Sequence, residues 1–488
     1  MRGFSTIELI VAFAILTLVM GGVLLADFSS TYWLVASRTS SEALFKATAA
    51  LEALRANSKQ DFYGAVSSGP TADADAQCQA GGMCYFLQSA ITDISACAKY
   101  AEASASWRVP GYATSTVSLP TMLADTAAAR ALGGDCLLLP PAGSWTGIAP
   151  GQSGTFSPGM PTSVDALAGT AYVSANQSPY LRIYKSGFLA YSNSFSASDP
   201  VNAVDAARDA ETGKVYVFAA VASTTGQLMV IDVTDPQAPV ELVRKPLAGV
   251  SPTGSSPQGW RLFYYDRTIY IVARNTAGPE LHIIDVSNPA APIEKGNGLN
   301  LGTSAYGIAI RDEVVGGATR RFAYLATTLD SGEVMVVDVT NPQTPAVAAT
   351  VNLDDAGCGL SDKPDGTSLF LSGRLLYVGR SHSAGSCPTL PDLYALDISD
   401  PLHPSVVASG VAGGGILGLQ VSAGNLFAYV STQANPTDTA LFDIDGDMLI
   451  AGQHAGNTIQ VWNADPAHFT RAASSAVASA QLQFFTSI

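Results

Sequence analysis

A ten-residue pattern that returns four times at nearly constant spacing restricts the fold of this chain more than any other feature. Val230-Ile-Asp-Val-Thr-Asp-Pro-Gln-Ala-Pro239 recurs as Ile283-Ile-Asp-Val-Ser-Asn-Pro-Ala-Ala-Pro292, Val336-Val-Asp-Val-Thr-Asn-Pro-Gln-Thr-Pro345 and Ala395-Leu-Asp-Ile-Ser-Asp-Pro-Leu-His-Pro404. Between Asp232, Asp285, Asp338 and Asp397 the steps are 53, 53 and 59 residues. An aromatic, apolar run precedes each copy: Val215-Tyr-Val-Phe218, Ile269-Tyr-Ile-Val272, Phe322-Ala-Tyr-Leu325 and Leu375-Leu-Tyr-Val378. Weaker copies flank the set, with Tyr172-Val173 and Leu181-Arg-Ile-Tyr184 before it and Met448-Leu-Ile-Ala451 and Ile459-Gln-Val-Trp462 after it. Each unit reads as short strands separated by Gly, Asp, Asn and Pro turns. About four strands fit in roughly 50 residues, the size of one propeller blade. Ring closure also removes the strand edges that a solenoid or a two-sheet sandwich would expose. Asp232, Asp285, Asp338 and Asp397 have a local explanation. Ser or Thr, then Asp or Asn, then Pro is tight-turn chemistry, and its presence in every unit argues for turn capping over a ring of ligands.

The pattern resembles the LVIVD-type repeat family, which implies a β-propeller. Six blades are expected between residue 163 and the end, or seven if Leu426-Phe-Ala-Tyr-Val430 is an additional strand. The tail Gln481-Leu-Gln-Phe-Phe485 is expected to close the ring by pairing with the first blade.

The opening segment is of another kind. From Phe4 to Ala26 the chain is apolar with a single charge, Glu8, and these 23 residues are enough for a helix to cross a bilayer. Arg2 precedes the run, so the start would stay in the cytoplasm and the remainder would face outward. A carboxylate in hydrocarbon is costly and implies a partner. Gly3-Phe4-Ser5-Thr6-Ile7-Glu8-Leu9 resembles the cleavage and methylation segment of type IV pilins and type II secretion pseudopilins. That resemblance implies cleavage between Gly3 and Phe4 by a prepilin peptidase, N-methylation of Phe4, and docking of Glu8 on the amino terminus of a neighbouring subunit during filament assembly. A leucine stripe at Leu34, Leu44, Leu51 and Leu54 extends the helix to about residue 60.

The expected fold class is therefore an α+β pilin-like amino-terminal region, a long membrane-spanning helix plus a small domain, followed by an all-β propeller. The expected domains are a leader at 1–3, the helix at 4–60 with 4–26 in the membrane, a disulfide-containing domain at 61–147, a Gly- and Pro-rich linker at 148–162 and the propeller at 163–488. Of the six cysteines, Cys78, Cys84, Cys97 and Cys136 lie in the small domain, where three pairings are open. Cys358 and Cys387 flank the fourth aromatic strand and are expected to bridge a longer loop of that blade.

Chemistry is harder to find. The net charge of −15 leaves no basic face for nucleic acid. Charged residues make up 13% of the chain against about 25% in typical domains, a balance common in proteins outside the cytoplasm. The five histidines form no recognisable metal or nucleophile motif, so no catalytic residue is assigned and no enzymatic activity is expected. No cofactor is required, although Asp443, Asp445 and Asp447, at alternate positions, are a weak calcium candidate. These features together describe a minor or tip filament subunit displaying a propeller for adhesion or binding. Its partners would be other pilin subunits, the prepilin peptidase and assembly machinery, the inner membrane before assembly, and an unknown surface, glycan or protein ligand. The alternatives are a type II secretion pseudopilin and a membrane-tethered propeller enzyme. Its location would be the inner membrane as a precursor, then the cell surface.

Overall fold

The period-two patterns of the sequence become strands throughout. The computed structural model describes residues 6–60, 62, 65, 67–72, 84–95, 98–108, 114–124, 152–155, 159–167, 170–185, 191–195, 198–209, 211–253, 257–353, 364–381, 390–421, 427–432, 441–445, 448–453, 458–463, 469, 471–476 and 481–486. They form two compact units.

The first unit holds α1 (Thr6–Gln60) and a sheet of β1 (Ser68–Ala72), β2 (Tyr85–Ser95), β3 (Ala98–Arg108) and β4 (Thr114–Ala124), paired in that order. β3 alternates strictly, burying Lys99, Ala101, Ala103, Ala105 and Trp107. Ala43 and Ala47 of α1 pack with Tyr85, Ala105 and Trp107, small residues letting helix and sheet approach closely. The Lys46 ammonium lies 5.2 Å from the centre of the Tyr85 ring.

This unit corrects several expectations. The chain is nearly all β, with 32 strands against one helix among the described elements, and the pilin-like α+β class with a membrane-spanning helix is not upheld. No helix among the described residues is long and apolar enough to cross a membrane. From Arg38 onward the helix is rich in Ser, Thr and charge and buries a narrow alanine face on the sheet. The inner-membrane precursor, and the surface location after it, rested on that span and fall with it.

In the second unit, β5 (Gln152–Thr155) precedes seven four-stranded sheets. Blade 1 is β6 (Pro161–Leu167), β7 (Thr170–Ala175), β8 (Leu181–Lys185) and β9 (Tyr191–Phe195). Blade 2 is β10 (Val201–Arg208), β11 (Val215–Val221), β12 (Leu228–Asp232) and β13 (Val240–Lys245). Blade 3 is β14 (Gln258–Tyr265), β15 (Thr268–Arg274), β16 (Leu281–Asp285) and β17 (Ile293–Glu294). Blade 4 is β18 (Ala305–Val315), β19 (Ala318–Thr327), β20 (Val334–Asp338) and β21 (Ala346–Val351). Blade 5 is β22 (Gly366–Ser372), β23 (Leu375–Arg380), β24 (Leu393–Asp397) and β25 (Ser405–Gly410). The rest of the chain supplies β26 (Ile416–Val421), β27 (Phe427–Thr432), β28 (Leu441–Asp445), β29 (Met448–Gln453), β30 (Thr458–Asn463), β31 (Arg471–Ala476) and β32 (Gln481–Thr486). Blade 6 is β26-β27-β30-β31, and blade 7 is β28-β29-β32-β5.

The first strand of each blade packs on the first strand of the next, from β6 through β10, β14, β18, β22, β26 and β28 and back to β6, so the ring closes. The count is seven, the higher of the two the sequence allowed, and the run at residues 426–430 does contribute a strand, β27 of blade 6. The seventh is hard to count because it comes from three separate stretches: a hairpin inserted between the second and third strands of blade 6, the carboxyl-terminal strand, and a strand that precedes blade 1. The tail pairs with β5 and β29 inside blade 7, and not with the sheet of blade 1. Met448 and Ile459, read as parts of one unit, lie in different blades.

Burial on both faces explains the continuous apolar runs. Along β11, Val217, Ala219 and Val221 face the core shared with blade 1, while Tyr216, Phe218 and Ala220 face the core shared with blade 3. Each fully buried Val, Leu or Phe contributes about 1.5–3 kcal/mol. A second device recurs just before the third strand of four blades. Gln227, Glu280, Glu333 and Asp392 are buried and accept hydrogen bonds from the backbone N–H groups of Leu247 (3.0 Å), Leu301 (2.7 Å), Leu353 (2.9 Å) and Ala412 (3.1 Å). These bonds tie the loop leading to the next blade. Glu280→Ala should lower stability by about 1–3 kcal/mol, because the Leu301 N–H loses its acceptor; chemical denaturation measures the change.

Candidate functional site

The inner strands carry one irregularity at the same place in six blades. Their pairing with the second strand shifts register around Thr162, Asn202, Trp260, Tyr306, Thr367 and Leu417, the extra residue of a β-bulge. In three blades the bulge side chain reaches the backbone of the next inner strand. The Thr162 hydroxyl donates to the Val201 carbonyl at 2.6 Å, the Asn202 amide donates to the Gly259 carbonyl at 2.7 Å, and the Thr367 hydroxyl donates to the Ile416 carbonyl. Close approach is part of this stitching, since a Cβ on Gly259 would lie 2.4 Å from the Gln227 carbonyl oxygen of blade 2.

Blades 3 and 4 break the stitching. Trp260 meets Tyr306 edge to face, with centroids 5.9 Å apart at 78°. The Arg274 guanidinium, at the end of β15, lies 4.5 Å from the Trp260 ring centre and 5.1 Å from that of Tyr306. The Arg261 guanidinium lies 5.2 Å from Trp260 and donates through Nη1 to the carbonyls of Asn202 (2.9 Å) and Trp260 (3.2 Å). Burial, then repulsion from Arg274, push Arg261 down to about 10, while Tyr306 acts in the other direction. Arg261 therefore stays cationic at neutral pH. Among the described residues no carboxylate pairs with either arginine, and the buried Trp260 indole N–H has no acceptor. An unsatisfied buried donor costs about 1–3 kcal/mol. The cluster thus combines two cations, two aromatic faces and an unused donor.

Three residues beyond the bulges of blades 1 and 2, about 10 Å along the strand, stand Asp165 and Asp205. Asp165 accepts a hydrogen bond from the Ala206 N–H, and Asp205 accepts one from the Tyr264 N–H at 2.7 Å. Burial, and then the like charge of Asp165, raise Asp205 well above the usual carboxylate range, against the Tyr264 bond. Burial and the neighbouring charge thus favour the protonated form of the Asp205 carboxyl.

The residues singled out in the sequence lie elsewhere. Asp232, Asp285, Asp338 and Asp397 end the third strands, and each accepts the backbone N–H two residues on: Thr234 (3.0 Å), Ser287 (2.8 Å), Thr340 (2.9 Å) and Ser399 (2.9 Å). Lys214, Lys295, Arg320 and Arg374 pair with them in turn. Burial acts to raise Asp285, but the Ser287 bonds and Lys295 hold it down at about 2. A carboxyl lower in the folded than in the unfolded chain stabilises the fold above about pH 4, and that contribution is lost as pH falls toward 2. Asp285→Asn should flatten this part of the acid-unfolding profile, as followed by circular dichroism.

Cys84 is disulfide-bonded. Cys78, Cys97, Cys136, Cys358 and Cys387 lie outside the described residues, as do Gly3, Phe4 and Asp447 and the side chains of Glu8, Asp443 and Asp445. Among the described residues no group of three acidic, Cys or His side chains is placed to hold a metal. Sequence reasoning missed Trp260, Arg261, Arg274 and Tyr306. An aromatic residue at the bulge position was the available signal, but loops of unequal length place Asn202, Trp260 and Tyr306 out of step with the ten-residue pattern.

The LVIVD repeat family matches residues 215–244 and 270–299. No curated protein matches the chain. Among solved structures it is similar to the periplasmic gluconolactonase of Pseudomonas aeruginosa, at 15% identity and a TM-score of 0.48 over 67% of this chain and 89% of that one. It is also similar to a candidate 6-phosphogluconolactonase of Bacteroides fragilis, at 12% identity and a TM-score of 0.44 over 66% of this chain and 86% of that one. At these identities and scores no activity, substrate or residue transfers. The reading as a filament subunit or pseudopilin is corrected: the matched segments are repeats of the propeller, and no helix among the described residues is long and apolar enough to span a membrane. The membrane-tethered enzyme loses its tether for the same reason. The expectation of no enzymatic activity does not follow from the missing motif, because a propeller gathers its polar groups from strands far apart in sequence and leaves no local motif to find. The chain carries LVIVD repeats, and its second unit folds as a β-propeller-like, all-β ring.

Proposed function

We propose that the propeller is a small-molecule-binding domain of enzymatic type, with its site at the inner-strand bulges of blades 3 and 4. The observation that supports this is that the bulges of blades 3 and 4, instead of stitching the ring, bring together Trp260, Tyr306, Arg261 and Arg274, two of them cations without a carboxylate among the described residues. Natural folds depart from their own local pattern chiefly at functional sites. A structural arginine pair would be expected to carry acidic partners, as Arg321 does with Asp312 and Asp266. Asp205 and Asp165 supply acid–base capacity on neighbouring inner strands. Crystallographic fragment screening of the full chain tests the reading. Bound fragments should collect against Trp260 and Tyr306; fragments bound only elsewhere would exclude the site.

A further inference from the structure

Resting on that site, we infer that its ligand is an organic carboxylate, gripped by Arg274 and stacked against Trp260 and Tyr306. The two guanidinium groups are in different positions. Arg261 spends Nη1 on the carbonyls of Asn202 and Trp260, so its role is to hold the bulge and add positive field. Arg274 makes no hydrogen bond or ion pair among the described residues, and its guanidinium lies over both rings. Aromatic contact orders the guanidinium while leaving its N–H donors available, and the fork of an ordered guanidinium matches the two oxygens of a carboxylate. The Trp260 N–H, buried and without an acceptor, is a further donor in the same cluster.

The ring edges suit the carbon skeleton of such a ligand. Phosphate fits less well, because the second unit has no helix among its described elements whose N-terminus could neutralise a dianion. Arg274 pairs in register with Gln258 at the start of β14, two residues before the bulge, so the strand backbone fixes the position of the cation beside Trp260.

Titration calorimetry of the full chain with benzoate, benzamide and inorganic phosphate tests the inference. Benzoate should bind at least tenfold more tightly than benzamide or phosphate. Arg274→Gln should lose at least tenfold in benzoate affinity, and so should Arg274→Lys, which keeps the charge but not the fork. Equal binding of benzamide, tighter binding of phosphate, no detectable benzoate binding, or full benzoate affinity in Arg274→Gln would each overturn the carboxylate assignment. If Arg274→Gln folds poorly, the lysine variant decides by itself. Failure of the site itself looks different: binding of every probe would then be unchanged in Trp260→Leu.

Discussion

Phe484→Pro should lower the stability of the propeller by about 3 kcal/mol or more, a large share of the 5–15 kcal/mol that typically holds a domain together. Phe484 lies in the middle of β32, opposite Ile450 of β29 on one side and Gln152 of β5 on the other. A central strand has no free side, so proline removes a ladder hydrogen bond whichever neighbour the N–H serves, and its ring crowds the adjoining strand. The location makes the effect larger than a local loss. β32 is the only strand that joins β5 to the hairpin β28–β29, and blade 7 is the contact between blade 6 and blade 1. Opening it exposes strand edges and the two adjoining cores together. Urea unfolding should show an earlier midpoint in Phe484→Pro, while Phe484→Val, which keeps the N–H, should retain most of the stability. Equal midpoints for wild type and Phe484→Pro would mean that the seventh blade does not close the ring.

A comparable loss, about 3–5 kcal/mol, is expected for Glu294→Ala, since removing one member of a buried pair strands the other. His282 is fully buried and Glu294 nearly so. Nδ1 of His282 lies 2.6 Å from Glu294 Oε1, and Nε2 lies 3.1 Å from the Pro279 carbonyl. Both ring nitrogens thus face an acceptor oxygen. The second Glu294 oxygen accepts the Ala248 N–H at 2.9 Å. Alanine therefore leaves a buried ring nitrogen and a backbone N–H unsatisfied at once. The pair also holds the segments on either side of the loop after Arg274, through Pro279 and Ala248, and that loop is tied to its neighbour by the bond from the Ala277 N–H to the Ser251 carbonyl. Thermal unfolding measures the loss. Glu294→Gln, which keeps one of the two acceptor oxygens, should recover part of it, and no recovery would mean that both acceptors are needed.

The parts of this protein that could be read from the sequence are those that repeat. Asp232, Asp285, Asp338 and Asp397 recur at steps of 53, 53 and 59 residues because each ends a third strand and caps the turn after it with a bond two residues away. Such chemistry is local and leaves a local record. The turn Asp266-Arg267 belongs to the same class, with φ of 52° and 58° in a tight hairpin. The amino-terminal apolar run was legible as composition, but composition did not decide its surroundings; the described part of α1 buries an alanine face on a sheet.

Blade 7 and the Trp260 cluster were not legible, for one shared reason. Both are made of residues whose proximity depends on ring closure and not on chain spacing: residues 152–155 meet 481–484 across the whole propeller, and Trp260 meets Tyr306 across a blade boundary. The sequence by itself determined the strand period, the capped turns and the repeating unit, because hydrogen bonds spanning two residues and side chains alternating along a strand are encoded where they act. The tertiary structure alone decided the number of blades, how the ring closes, and which bulges meet around two arginines that have no carboxylate among the described residues, because those outcomes depend on which distant strands become neighbours.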